Sequence, residues 1–420
     1  MLATTLLIAT ALVAPTQDTL SPAARRLLTD VRYLAADARE GRGVGTAGLT
    51  EAGQYVAQEF RAAGLQPAAA GSFFQPFTIA GDAPAATLAG VAGVEVRNVV
   101  ALLPGRDPAR RGEVVIVGAH YDHLGRGRFG TLDPDSTGRI HNGADDNASG
   151  TATLLEIARR LASRRPARTL VFIAFSGEEL GVLGSTYFVK HPLVEPVESV
   201  YAMVNLDMVG RLRNDRLLAL GAATAREFPA LLDSLNGAVA GAHFDLRASG
   251  DGWGPSDHAS FFAAKRPVVH LFTDLHEDYH RATDDWDKIN ASGLARVAEF
   301  AAELAWTLAN RVGDLAFVDA PPHAAAVGGQ GYGAYLGTIP DMSESPGGVR
   351  ITGVRAGSPA ERAGLQAGDV ITTIGDKTVA NLYDMTDALR SHEPGDTVVV
   401  VASRGTTVVR LTAVLGKRSS

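Results

Sequence analysis

Four short runs, EVVIVG (113–118), TLVFIAF (169–175), VYAMVNL (200–206) and PVVHLF (267–272), are apolar at successive positions and rich in β-branched residues. Continuous apolarity of that length marks strands covered on both faces. Helical stretches lie between them, such as SGTATLLEIARRLASR (149–164) and LGVLGSTYFVKH (180–191). Strands that alternate with helices predict an α/β fold, a doubly wound and mostly parallel sheet. In such sheets ligands bind outside the carboxyl ends of the strands. Those ends are where the chemistry is to be sought.

Five segments there carry acidic and imidazole side chains: GAHYDHLG (118–125), NGADDNASG (142–150), FSGEELGVLGS (175–185), NLDMVG (205–210) and DYHRATDDWDKI (278–289). The order His, Asp, Glu, Asp, His is the set that two divalent ions about 3.5–4 Å apart require, with one carboxylate bridging and the other groups as end ligands. His120 and Asp207 would serve one ion and Glu179 and His280 the other, with a carboxylate of the Asp145–Asp146 pair between them. Two such charges bring the pKa of a shared water toward neutrality, and Glu178, beside Glu179, is the candidate general base. Taken singly, each piece has a plainer reading. Asp145-Asp146 could be a turn and helix cap, Glu178-Glu179 a first-turn charge pair, and Asp207 a strand-end turn residue. Their shared placement after strands favours one site.

These segments resemble the co-catalytic di-zinc exopeptidases of the aminopeptidase Y and aminopeptidase S type. The likeness covers most of residues 30–310, beginning with YLAADAREGRGVGTAG (33–48) and SFFQPF (72–77). It implies two Zn2+ held by His120, Asp146, Glu179, Asp207 and His280, with Glu178 as base. It also implies that Asp122 orients His120, that Asp146 is the bridge, and that Tyr279 hydrogen-bonds the developing oxyanion. Asp257 and His258 in SDHASF (256–261) match a recurring segment near the substrate pocket; without the resemblance they read as a helix cap and its neighbour. His123, His141, His243, His270 and His276 read as surface or packing residues.

A charge of −7 without a dense basic face argues against nucleic acid as main partner. The cluster Arg159, Arg160, Arg164, Arg165 and Arg168 ends a helix, where cations suit the dipole and solvent. With no cysteine there are neither disulfides nor thiolate ligands. Gly43, Gly45 and Gly48 satisfy a dinucleotide-binding pattern but follow no strand, so its context is missing. The apolar start, residues 1–16, resembles a secretory signal without a basic n-region and is too short for a stable membrane span, so export to the periplasm or medium is expected.

The expected domains are the peptidase unit at 17–318, a linker at 319–333 rich in Pro, Ala and Gly, and a second domain at 334–418. The last resembles a small α+β PDZ domain, on AYLG (334–337) and GVRAGSPAERAGLQAGDVITTIGD (353–376). The resemblance implies binding of a chain end at the Tyr335, Leu336 and Gly337 loop. NLYDMTDALRSH (381–392) reads as a helix and 396–415 as a hairpin around Gly405. The expected activity is removal of N-terminal residues from peptides with a free amino terminus. A carboxypeptidase or dipeptidase of the same family, a one-zinc glutaminyl cyclase and a non-catalytic peptide binder are the alternatives. Acidic residues of 243–258, Asp245, Asp251 and Asp257 against Arg247 alone, favour an amine over a carboxylate in the pocket.

Overall fold

The protein's structure is a computed structural model; it describes residues 20–417 apart from positions 70, 82, 133, 195, 321–333, 341–346, 356, 381–383, 386, 387 and 390. The expected signal segment, 1–16, lies outside the described residues. Among the described residues no helix is long and apolar enough to cross a membrane.

The strands of the first domain are β1 (Gln66–Pro67), β2 (Phe74–Thr78), β3 (Glu95–Leu103), β4 (Val114–His120), β5 (Thr169–Phe175), β6 (Val200–Leu206), β7 (Arg216–Leu220), β8 (Asp245–Ser249) and β9 (Val268–Phe272). They form one sheet in the order β1-β3-β5-β4-β6-β9-β7-β8, with β2 paired to β3. The centre, β5-β4-β6-β9, is parallel. β3 joins it antiparallel on one side and β7 on the other, so the sheet is mixed, a parallel centre with antiparallel margins, where a mostly parallel one was expected.

All residues of β4, β5, β6 and β9 are buried, and the alternation along each strand divides them between two cores. Leu170, Phe172 and Ala174 of β5 face a core shared with helices Pro22–Leu34, Ala47–Ala62, Gly150–Leu161 and Ala291–Asn310. Val171, Ile173 and Phe175 face a smaller one containing Phe188, Phe261 and Phe262 from helices Leu183–Lys190 and His258–Ala263. Two-sided burial is why these strands are apolar throughout. The helix starts are capped as their sequences ask: Ser21, Thr46 and Asn290 each accept from the amide three residues on.

The arginines at the end of Gly150–Leu161 are committed to ion pairs. Arg159 reaches Asp30 at 2.6 Å and Glu59 at 2.8 Å, Arg160 reaches Glu299 at 3.0 Å, and Arg164 reaches Glu303 at 2.8 Å. Arg168 is buried against Glu113 and the Tyr201 ring. Arg159, Arg160 and Arg164 tie helices together, while Arg165 is exposed.

Asp319 pairs with Lys265 and the Ala320 carbonyl accepts from the Trp253 indole at 3.1 Å. The first two residues of the expected linker are thus held against the first domain, and the rest lies outside the described residues. The second domain has strands Thr338–Pro340, Val349–Val354, Val370–Ile374, Thr397–Arg404 and Thr407–Val414 in that order across one antiparallel sheet. Thr338–Pro340 is an edge. Gly405, at φ +60°, makes the turn between the last two strands. Leu336, Ile351, Ile371, Ile374 and Val400 belong to a core that shares no residue with those of the first domain. Within 381–392, Asp384, Met385, Ala388 and Leu389 are helical, and several of the others lie outside the described residues.

Candidate active site

Five connections deliver the site. His120 is the last residue of β4, Asp207 follows β6 directly, and Glu178 and Glu179 follow β5 through a turn at Gly177 (φ +77°). His280 comes from the loop after β9. Asp146 comes from the irregular turn Ala144–Ser149, entered through Gly143 at φ +55°. A Cβ on Gly143 would lie 2.1 Å from the Asp146 carbonyl, so only glycine lets the chain double back here.

The five expected metal-binding side chains converge. His120 Nε2 lies 3.3 Å from Asp207 Oδ1 and 3.4 Å from Asp146 Oδ1. His280 Nε2 lies 3.1 Å from Asp146 Oδ2 and 3.2 Å from Glu179 Oε2. The two oxygens of Asp146 therefore face two separate donor pairs. Glu178 Oε2 stands 3.9 Å from His120 Nε2.

Both imidazoles have their remaining nitrogen fixed by a carbonyl. His280 Nδ1 is 2.9 Å from the Gly130 carbonyl and His120 Nδ1 is 3.2 Å from that of Asp122. Each Nδ1 then carries the proton and each Nε2 presents its lone pair to the cluster. This corrects the role expected of Asp122. Its carboxylate is 4.0 Å from His120 and instead accepts from the amides of Glu178 at 3.1 Å and Glu179 at 3.3 Å. Asp122 orients His120 through its main chain and holds the Glu178-Glu179 turn through its side chain.

Crowded carboxylates in a buried place set the electrostatics. Burial pushes Glu178 well above the usual carboxylate range, although His120 opposes it. Burial also acts on Glu179, but the His280 and His123 rings outweigh it and hold Glu179 well below that range. Tyr279 is pushed well above its ordinary value by burial and by the carboxylates of Asp146 and Glu179, so it keeps its proton. Its ring lies 4.0 Å from that of His280.

Several groups went unassigned in the sequence. His123, read as packing, is in the site with Nδ1 2.6 Å from Glu179 Oε1; its place one residue past Asp122 in a strand-end segment was the available signal. Ser256 donates to Asp207 Oδ2 at 2.8 Å and accepts from Asn205, whose amide also lies 2.9 Å from His270. His276 lies 3.1 Å from Asp145, which accepts from Ser149 and from the Gly210 amide. Asp284 accepts from the amides of Asp145 and Asp146. Arg42, fully buried, donates to the carbonyls of Leu34, Tyr121, Asn142 and Gly143 at 2.7–2.9 Å. It fastens the chain after β4 to the chain before Asp146.

Asp257 is fully buried near Ser185, and burial pushes it up to about 7 although His120 and Ser185 oppose it. It caps nothing. Of the other acids of 243–258, Asp245 is exposed in the edge strand β8 and pairs with Arg247 at 2.9 Å, and Asp251 is engaged by the Trp253 amide. The charge argument for an amine-binding pocket thus reduces to Asp257.

Residues 98–305 match the model of peptidase family M28, and residues 334–415 that of the PDZ domain. Residues 98–305 are thus a peptidase family M28 domain, with a PDZ domain behind it. It is similar to leupeptin-inactivating enzyme 1 of Streptomyces exfoliatus, 26% identical over 67% of this chain and 60% of that protein. It is also similar to aminopeptidase YwaD of Bacillus subtilis, 41% identical over 23% of this chain and 18% of that protein. The chain spans less than two thirds of the length of either. Among solved structures, the M28 domain shares its fold with BSAP, a zinc aminopeptidase from Bacillus subtilis (TM-score 0.55, 17% identity, 69% of this chain and 95% of that one). It shares it equally with glutaminyl cyclase of Porphyromonas gingivalis (TM-score 0.54, 21% identity, 67% and 96%). The fold therefore does not choose between those chemistries.

Proposed function

We propose that the protein is a zinc-dependent exopeptidase that binds two Zn2+ and acts as an aminopeptidase. The carrying observation is the division of Asp146, whose Oδ1 faces His120 and whose Oδ2 faces His280. A mixed carboxylate and imidazole set without thiolates suits zinc, and a carboxylate presented to two donor pairs suits two ions. His120 and Asp207 would hold one, His280 and Glu179 the other, with Asp146 between. Bound there, the ions would supply Lewis acidity, lowering the pKa of a water and polarising the scissile carbonyl.

The chain's own groups do the rest. Glu178, 3.9 Å from His120 Nε2, takes a proton from the attacking water and returns it to the leaving amine. Asp122 keeps Glu178 in place through its amide, and Tyr279, which keeps its proton, donates to the developing oxyanion. Asp257, buried beside the site, is the acid of 243–258 that remains for a substrate's α-amine. The likeness to aminopeptidase YwaD supports the same direction. For the PDZ domain, the edge strand Thr338–Pro340 beside Tyr335, Leu336 and Gly337 supports addition of a peptide strand. Export of the chain is part of the same reading, resting on the apolar first residues.

Metal counting together with kinetics tests this. Two zinc equivalents per chain are expected, with hydrolysis of a peptide that is lost when its α-amine is acetylated and kept when its far carboxylate is amidated. One equivalent with release of ammonia from N-terminal glutamine would make it a cyclase instead.

A further inference from the structure

The loop between His120 and Asp146 does more than connect two ligands. It is fixed at several points. Gly125 donates to the Gly41 carbonyl at 3.1 Å, and Leu132 donates to the His280 carbonyl at 2.9 Å. Inside the loop, His141 is buried with Nε2 3.0 Å from Thr131 Oγ1 and 3.1 Å from Ser136 Oγ. Gly127, at φ +62°, lies so close to that ring that a Cβ would approach it to 2.2 Å. The Gly130 carbonyl is the one that fixes His280. The backbone of 126–129 is therefore held at a set place relative to the proposed metal centre.

This segment borders a cavity of about 290 Å³ lined also by His123 and Glu179 and by the apolar Val91, Phe129 and Leu180. That is at the small end of ligand pockets, roughly 300–1,000 Å³, and suits one residue of a substrate. Arg126 and Arg128 both line it. Arg128 is exposed and has no ion pair or hydrogen bond among the described residues. Arg126 reaches only the Gly138 carbonyl at 3.4 Å and Glu40 at 4.0 Å. The acids of the lining are already engaged, Asp122 by two amides and Glu179 by two imidazoles. The uncommitted charge of the pocket is positive. A guanidinium over an apolar-walled slot recognises carboxylate through paired N–H donors.

We propose that this pocket is a carboxylate-reading subsite, in which Arg128, assisted by Arg126, selects substrates that place a carboxylate next to the scissile bond. The inference rests on the exopeptidase reading of the neighbouring centre. The carboxylate has two sources, an acidic side chain or the free terminus of a dipeptide, and the test separates them.

Three matched pairs are used on the zinc-loaded full chain: Glu- and Gln-anilide, Leu-Glu-amide and Leu-Gln-amide, and Leu-Gly with its amide. In at least one pair the carboxylate member is expected to have the higher kcat/KM, by about ten- to a hundredfold, the range of one charge-assisted contact. The first two pairs report a side chain and the third a terminus. Arg128→Gln should collapse that ratio toward one, and Arg128→Lys should restore part of it. Ratios near one in all three pairs, or a ratio unchanged in Arg128→Gln, overturn the subsite. Calorimetric binding of the same pairs to wild type and Arg128→Gln is measured alongside. If nothing is hydrolysed, the exopeptidase reading fails, and the binding ratio still supports or overturns the subsite.

Discussion

At the scale of residues, the site is a set of acids and imidazoles that each need a second group to be useful. Glu178 shows this most clearly: its amide is held by Asp122 and its carboxyl is raised by burial. Glu178→Gln keeps size and position but cannot take a proton, so turnover should fall by about 10²–10⁴ while metal content is unchanged. Near-normal turnover in a metal-replete Glu178→Gln would remove the residue from its role. Arg42 makes the opposite kind of contribution. Arg42→Met leaves four buried carbonyls without their donor, and the cost should exceed about 3 kcal/mol, seen as a lower midpoint in urea unfolding. A shift under 1 kcal/mol would mean those carbonyls find other partners. The five convergent side chains were legible because a metal centre of that kind would dictate their types and order. Arg42, Ser256 and Asp284 were not, because an arginine on carbonyls, or an acid on amides, satisfies neighbours that only the fold brings near.

At the scale of elements, the central strands were readable to within about two residues, since two-sided burial leaves no polar position to blur a run. β7 and β8 were not assigned: RLLAL and DLRAS are short, partly exposed and at the sheet margin, where polar residues interrupt the pattern. The PDZ sheet rests on another kind of contact. Asp369 accepts from Arg404 Nε at 2.7 Å and from the Gln366 amide at 2.9 Å, tying the turn before Val370–Ile374 to Thr397–Arg404. The hydrogen bond from Arg404 holds Asp369 below the usual carboxylate range. A depressed folded pKa gives stability that is present above the unfolded value, about 3.9, and is lost as pH falls through the lower folded value. The melting temperature of the PDZ transition should therefore drop with acid below about pH 4, and Asp369→Asn should start lower and flatten that dependence. A parallel acid profile in the mutant would show that other carboxylates carry it.

At the scale of the molecule, two separate cores imply two folding units. A chain ending at Ala320, which keeps the Trp253 and Lys265 contacts, should hydrolyse a short substrate at close to the full-length rate. Loss of both folding and activity would show that the M28 domain needs its neighbour. The sheet order has a further effect. β4, which ends in His120, sits between β5 and β6, and β6 waits for β9, so neighbours in space are far apart along the chain. His120 and His280 meet only when the last of these strands has docked. Pairings of that range form slowly, because loop closure precedes their reward. A nascent or unfolded chain thus carries all five side chains and no centre, and whatever chemistry the centre performs is withheld by topology alone until the domain is complete.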